Sequence, residues 1–237
     1  MSAVMQSLTV LDLSNCYQIS LFPKFTGIMK SLSVLKLRGT AIEKVEPSSI
    51  ECLTALAILN LSGCKNLECL PSNMDNLKSL ETLDLSHCSK LKSLPKFTGI
   101  MKSLSVLDLS RTAIEKVEPS SIECLTALAF LDLSGCTNLE CLPSNMDNLK
   151  SLETLYLSRC SKLKSLPRLP STVRFVDALG SSLKLSPKRV KLSIWSQRFS
   201  QWLPYDVSLD SRVGFTILFH FLEVISSRSL SLSLLNS

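Results

Sequence analysis

The sequence predicts an α/β repeat solenoid, a curved horseshoe with a parallel β-sheet on its concave face and short helical or 3-10 turns on its convex side. Three observations predict it. Leucine supplies 47 of the 237 residues. Leu8, Leu32, Leu56, Leu80, Leu104, Leu128 and Leu152 recur with a constant 24-residue period. Each opens the frame L-x-x-L-x-L-x-x-C/T, which most copies continue as x-x-L-x-x-L-P, as in Leu56, Leu59, Leu61, Cys64, Leu67, Leu70 and Pro71. A fixed period of this size marks a stack of small units, none of which can bury its apolar face alone.

Each element of the unit follows from its residues. The alternation L-x-L has the two-residue period of a strand, so Leu59 and Leu61 point inward and Asn60 outward. Stacked in parallel at about 4.8 Å per strand, these segments make one continuous core, and bulkier return segments on the outer side force the stack to curve. The returns carry turn and helix-start chemistry in Pro47-Ser48-Ser49-Ile50 and Pro71-Ser72-Asn73-Met74. One or two helical or 3-10 turns are expected there, burying Ile50 and Leu53, or Met74 and Leu77. The ninth place of the repeat is Cys16, Cys64, Cys88, Cys136 or Cys160, with Thr40 and Thr112 substituting; a ladder of buried thiols is expected. Cys52 and Cys124 stand at equivalent places three repeats apart, as do Cys69 and Cys141. No CxxC pair or His cluster accompanies them, so no metal and no cofactor is expected.

Composition narrows the class. Charged residues are 19% and mean hydropathy is +0.25, which excludes a disordered polar chain. The longest apolar run, Val213 to Ile225, contains His220 and Glu223 and falls short of the roughly 20 residues of a transmembrane helix. No basic start or h-region opens the chain, so no secretory signal is expected. Residues 1–183 hold 19 Lys+Arg and 17 Asp+Glu. That near-neutral balance gives no electrostatic case for nucleic acid. The repeats are expected to fill 1–183 as seven 24-residue units and a degenerate last one, with 184–237 a C-terminal cap or poorly ordered tail. In that tail Lys184–Lys191 is basic, Trp195, Phe199 and Trp202 follow at helix-like spacing, and Phe215–Ile225 reads as a strand or a short buried helix. Capping of the solenoid end is favoured over a membrane-surface or partner-docking segment.

A second period is nested in the first. Lys24–Pro95 and Lys96–Pro167 match at 64 of 72 positions. The differences are Lys36/Asp108, Arg38/Ser110, Gly39/Arg111, Ile58/Phe130, Asn60/Asp132, Lys65/Thr137, Asp84/Tyr156 and His87/Arg159. Seven of the eight fall at the non-leucine places of x-x-L-x-L-x-x, which make up 15 of the 72 positions. Relaxed constraint on exposed positions is one reading. Against it, the convex surface that carries Ser72–Asn76 and Ser144–Asn148 is expected to be exposed too, and those segments have not changed. Recent duplication with change concentrated on one face is what a recognition surface acquiring new specificities would leave.

The phrase L-x-x-L-x-L-S-x-C-x-x-L-x-x-L-P, as in Leu59–Pro95, resembles the leucine-rich repeats of plant intracellular nucleotide-binding disease-resistance proteins. Ser62-Gly63-Cys64-Lys65-Asn66-Leu67 looks most like the branch that carries a TIR domain. The resemblance covers about residues 7–183, and Leu166–Ser171 with Val173, Val176 and Leu183 resembles that family's degenerate last repeat. It implies a cytoplasmic or nuclear protein of plant defence and innate immune signalling. It also implies a protein partner, either an effector or a host protein, and a nucleotide-binding domain as a second partner in cis or in trans. No G-x-x-x-x-G-K-[ST] is present, so nucleotide binding is carried onto no residue, and TIR and nucleotide-binding domains are not expected within the chain.

The expected function is non-catalytic protein recognition on the concave face. The candidate residues are Lys36, Arg38, Ile58, Asn60, Asp84, His87, Asp108, Arg111, Phe130, Asp132, Tyr156 and Arg159. The alternatives are a scaffold restraining a nucleotide-binding switch, through invariant edge residues such as Glu43-Lys44 and Glu115-Lys116, or a truncated inactive receptor. No enzyme is expected. His87 beside Asp84 has the makings of a general base, but the duplicate carries Arg159 there, and the G-x-S-x-G and H-E-x-x-H motifs are absent. Asn60-Leu61-Ser62 is a formal glycosylation sequon placed in a strand.

Overall fold

In the computed structural model the structure describes residues 7–25, 27–97, 99–183 and, for the backbone alone, 216–218. The L-x-L segments form three-residue strands: β1 Val10–Asp12, β2 Val34–Lys36, β3 Ile58–Asn60, β4 Thr82–Asp84, β5 Val106–Asp108, β6 Phe130–Asp132, β7 Thr154–Tyr156 and β8 Phe175–Asp177, followed by β9 Thr216–Leu218. They pair in parallel and in chain order as one nine-stranded sheet. From β1 to β7 the register advances by one repeat period per strand, as in Leu35↔Leu59 and Leu59↔Leu83. The step to β8 is shorter, Leu155↔Val176, which marks the degenerate repeat.

The return segments take the expected turns. Pro47–Glu51 (α1) and Pro119–Ile122 (α2) are short α-helices with proline in the first turn, where its missing N–H costs no hydrogen bond. Ser72–Asn76 and Met146–Asn148 are 3-10 turns, and the convex segments are exposed only in part: Met74, Asp75 and Met146 are buried, leaving Ser72, Asn76, Ser144 and Asn148 outside. Successive returns are stitched together: Asn73 Nδ2 donates to Pro47 O at 3.0 Å, and Ser121 Oγ to Pro95 O at 2.8 Å. The core lies between sheet and returns. Leu59, Leu61, Ile50, Leu53 and Met74 are fully buried, and Leu77 nearly so. Burying a leucine side chain is worth roughly 1.5–3 kcal/mol, and the period delivers several per unit.

The ninth-place thiols form their ladder with one exception. Cys64, Cys88, Cys136 and Cys160 are buried, each donating Sγ–H to a carbonyl of the preceding unit (Leu37, Leu61, Leu109 and Leu133) at 3.1–3.2 Å. Thr40 and Thr112 sit 3.3 Å from the sulfurs of Cys64 and Cys136. Burial pushes the thiols of Cys88 and Cys160 up to about 12 and that of Cys124 to about 11, and it raises Cys64 and Cys136 as well. Cys16 departs from the expectation and is exposed. Its coil is the first described, and Leu8, Leu11 and Leu13 of that coil are likewise only partly buried. Cys69 and Cys141 are exposed as well, while Cys52 is half-buried with its Sγ donating to Phe25 O.

Candidate recognition face

The open face of the sheet is built from two places per strand, because the middle leucine turns inward. From β1 to β8 the first places are Val10, Val34, Ile58, Thr82, Val106, Phe130, Thr154 and Phe175; the third are Asp12, Lys36, Asn60, Asp84, Asp108, Asp132, Tyr156 and Asp177. Lys36 and Ile58 are exposed, and Asn60, Asp84, Asp108, Phe130, Asp132 and Tyr156 are half-buried beside their neighbours.

The third-place acids and amide do structural work as well. Asp84, Asp108, Asp132 and Asp177 each accept, through Oδ1, the backbone N–H two residues on, at 2.7–3.0 Å, and Asn60 does the same for Ser62. These side chains therefore close the turn that ends each strand. Asn60 also donates Nδ2 to Asp84 Oδ2 at 2.9 Å, so the sequon amide is already engaged. Along β4, β5 and β6 the carboxylates of Asp84, Asp108 and Asp132 lie directly abreast. Burial raises the Asp108 carboxyl above its ordinary value, and Asp132 and Asp84 add to the shift; Asp177 is raised by burial and by Asp132. Tyr156 stands between Asp132 and Asp177 in the register, and its hydroxyl is raised by burial and by those two charges. Its ring meets Phe130 at 5.5 Å and Phe175 at 5.2 Å between centroids, both tilted.

Beyond each strand the chain turns through a left-handed residue. Asn15, Gly39, Gly63, His87, Arg111, Gly135, Arg159 and Gly180 all have φ between 55 and 71°. A second ladder accompanies this geometry, in which the amides of the turn residues from Asn15 to Arg159 donate to a carbonyl of the next unit, as in His87 N to Ser110 O and Arg111 N to Ser134 O, both 2.7 Å. Glycine suits this place, while a branched or long side chain there is strained. His87, Arg111 and Arg159 hold it with their side chains exposed.

A family model described as "Leucine rich repeat" matches residues 6–65 and 78–139, together more than half of the chain. The chain belongs to the leucine-rich repeat family. A search of curated proteins finds no match. Among solved structures, the leucine-rich repeat domain of the type III effector XopL is 21% identical, with a TM-score of 0.58, covering 88% of this chain and 76% of that one. Mouse RP105, solved in complex with MD-1, is 22% identical with a TM-score of 0.50, covering 76% of this chain and 31% of that one. A leucine-rich repeat protein of Leptospira interrogans is 25% identical with a TM-score of 0.44, covering 68% of this chain; the chain spans 52% of its length. XopL and RP105 bear on the fold alone. Leucine-rich repeat domains generally mediate protein–protein recognition and are typically non-catalytic.

Of the twelve candidates in this leucine-rich repeat protein, eight lie on the strands: Lys36, Ile58, Asn60, Asp84, Asp108, Phe130, Asp132 and Tyr156. Arg38, His87, Arg111 and Arg159 lie on the adjoining exit turns. No hydrogen bond or ion pair joins His87 to Asp84 among the described residues. The candidates omitted Phe175 and Asp177, which complete the aromatic and acidic rows; the shortened last repeat hid their register. Lys44 and Lys116 lie outside the sheet, bridged to Cys69 and Cys141, and there Lys44 pairs with Glu46 at 3.0 Å and Lys116 with Glu118 at 2.6 Å. No group of His, Cys, Asp or Glu able to hold a metal, and no helix long and apolar enough to cross a membrane, occurs among the described residues. The tail residues Lys184–Lys191, Trp195, Phe199, Trp202 and Ser226–Ser237 lie outside the described residues.

Proposed function

We propose that this chain is a non-catalytic recognition module of plant innate immunity that binds a protein, an effector or a host protein, across its strand face and exit turns. The observation that carries the reading is the position of the differences between the two 72-residue units. Seven of eight fall on β2–β7 and the turns that leave them, while the exposed convex residues Ser72 and Asn76 are matched unchanged by Ser144 and Asn148. The plant assignment rests on the phrasing of Leu59–Pro95, and it brings with it a cytoplasmic or nuclear location and a nucleotide-binding domain as a second partner. Residues 1–183 are the recognition solenoid in this reading and 184–237 its C-terminal end; the pairing of β9 with β8 supports that continuity.

The test uses the full chain as bait for plant-extract proteins, comparing wild type, F130A/Y156A/R159A and the convex control S144A. Proteins retained by wild type and the control but lost by the triple variant are the expected result. Retention that ignores the triple variant sinks the reading.

A further inference from the structure

The second unit has built on its strand face a feature that the first lacks. At corresponding places the first unit carries Ile58, Asn60 and Asp84, and the second carries Phe130, Asp132 and Tyr156. Three of the eight substitutions therefore converge on two adjacent strands. They meet Phe175 and Asp177 of β8, which belong to neither unit. The outcome is a half-buried aromatic row, Phe130–Tyr156–Phe175, with ring centroids 5.5 and 5.2 Å apart and a carboxylate abreast of Tyr156 on either side, Asp132 and Asp177.

Each of these carboxylates spends one oxygen on a turn amide, and neither forms an ion pair among the described residues. Asp108 extends the negative row onto β5. Neighbouring like charges about 4.8 Å apart disfavour one another, so the row is electrostatically unbalanced as it stands. A cation above the tyrosine would be held by two carboxylates and by the faces of the aromatic rings at once, and partial burial strengthens both terms. Arg111 and Arg159 project from the exit turns and, among the described residues, form no ion pair with the row.

From this juxtaposition we infer that the β6–β8 part of the face takes a basic polypeptide segment, seating a lysine or arginine side chain over Tyr156 between Asp132 and Asp177. The inference rests on the recognition reading above and names the chemistry of its partner. The charge and the aromatic anchors agree on it, since aromatic surface is a usual centre of binding energy at protein interfaces.

The fold accepts the variants needed. F130I and D132N restore what the first unit carries at the same places, and Asn60 shows that an amide closes the turn as a carboxylate does. A random dodecapeptide phage library is selected on the full-length wild-type chain, and enriched peptides are resynthesised and titrated against F130I/D132N, D177N and K65T, with thermal melts of each. The expected result is enrichment in Lys and Arg, at least a tenfold loss of affinity on F130I/D132N and on D177N, and no change on K65T, which lies off the face. Peptides that are not basic yet weaken on F130I/D132N overturn the basic-segment assignment and leave protein recognition by this face standing. Selected peptides indifferent to every face substitution overturn both.

Discussion

A β-carbon on Gly135 would lie 2.9 Å from Cγ of Arg111, the residue at the same place in the preceding unit. Both backbones are left-handed, φ 71° and 55°, so the arginine's side chain leans over ground that only glycine leaves open. Asn15 stands against Gly39 in the same way, with Oδ1 3.0 Å from the corresponding position.

This contact predicts a coupled pair of substitutions. G135A should destabilise the chain by about 1–2 kcal/mol, the combined effect of a strained φ and the crowding. R111G should stabilise it by up to about 1 kcal/mol, since glycine removes the same strain. In the R111G background G135A should be less costly than in wild type. Chemical denaturation of the four proteins reads the cycle, and strictly additive effects would refute the contact. Loss of partner binding in R111G alongside a gain in stability would tie the strained arginine to recognition.

Thiol accessibility checks the ladder. Cys16, Cys69 and Cys141 are exposed, whereas Cys64, Cys88, Cys124, Cys136 and Cys160 are buried. With Cys88 and Cys160 near 12 and Cys124 near 11, almost no thiolate exists at neutral pH. A thiol-reactive dye at pH 7.5 should label Cys16, Cys69 and Cys141 within minutes and all nine only in denaturant, with peptide mapping to assign them. Rapid labelling of Cys136 in the native chain would contradict the burial.

The carboxylate row carries a pH signature. Asp108 has its folded-state pKa raised, first by burial and then by Asp132 and Asp84. A raised acid favours its protonated form in the fold, so its stability is fully present below the unfolded value near 3.8 and is lost as pH rises through the higher folded value. D108N, which keeps an oxygen for the Ser110 amide, should therefore be more stable than wild type at pH 7 by about 0.5–1 kcal/mol. The advantage should shrink as pH falls toward 4. Thermal melts of both proteins across pH 3.5–7.5 measure it, and a pH-independent difference would rule out the charge as its origin.

The repeat period made the strands, their parallel order and the inward leucines legible in advance, because periodicity directly encodes burial. The short turns at Pro47 and Ser72 were legible for the same reason: they follow prolines at helix starts and bury Ile50 and Met74. The left-handed exit was not foreseen, although glycine recurs at that place in Gly39, Gly63, Gly135 and Gly180. His87, Arg111 and Arg159 interrupt the pattern there, so glycine does not mark the place in every copy. Nor did Asp84 and Asp108 reveal from sequence that one oxygen of each is committed to a backbone amide, since that depends on φ and ψ after the strand. Phe175 escaped because it pairs with Thr154 across a step shorter than the repeat period.

Core truncation should be felt beyond its own coil. Leu131 on β6 is almost completely buried, and L131A should cost about 2–5 kcal/mol. Because each coil contacts only its neighbours, hydrogen exchange should quicken most in β5, β6 and β7 and least in β2. Uniform acceleration along the whole sheet would show that the chain unfolds as one block.

The joints at Pro23-Lys24 and Pro95-Lys96 share one sequence, and β1 meets β2 in the same register as β4 meets β5, Leu11↔Leu35 and Leu83↔Leu107. Excising Lys24–Pro95 would therefore join Pro23 to Lys96 and bring Leu11 opposite Leu107 with no residue out of step. Gene-level gain or loss of a whole 72-residue block changes the length of the sheet by three strands, about 14 Å at the usual spacing, without any loop having to be redesigned. Such a protein can explore new spans in discrete steps, and each added block arrives already folded in register and needs only its handful of outward residues rewritten.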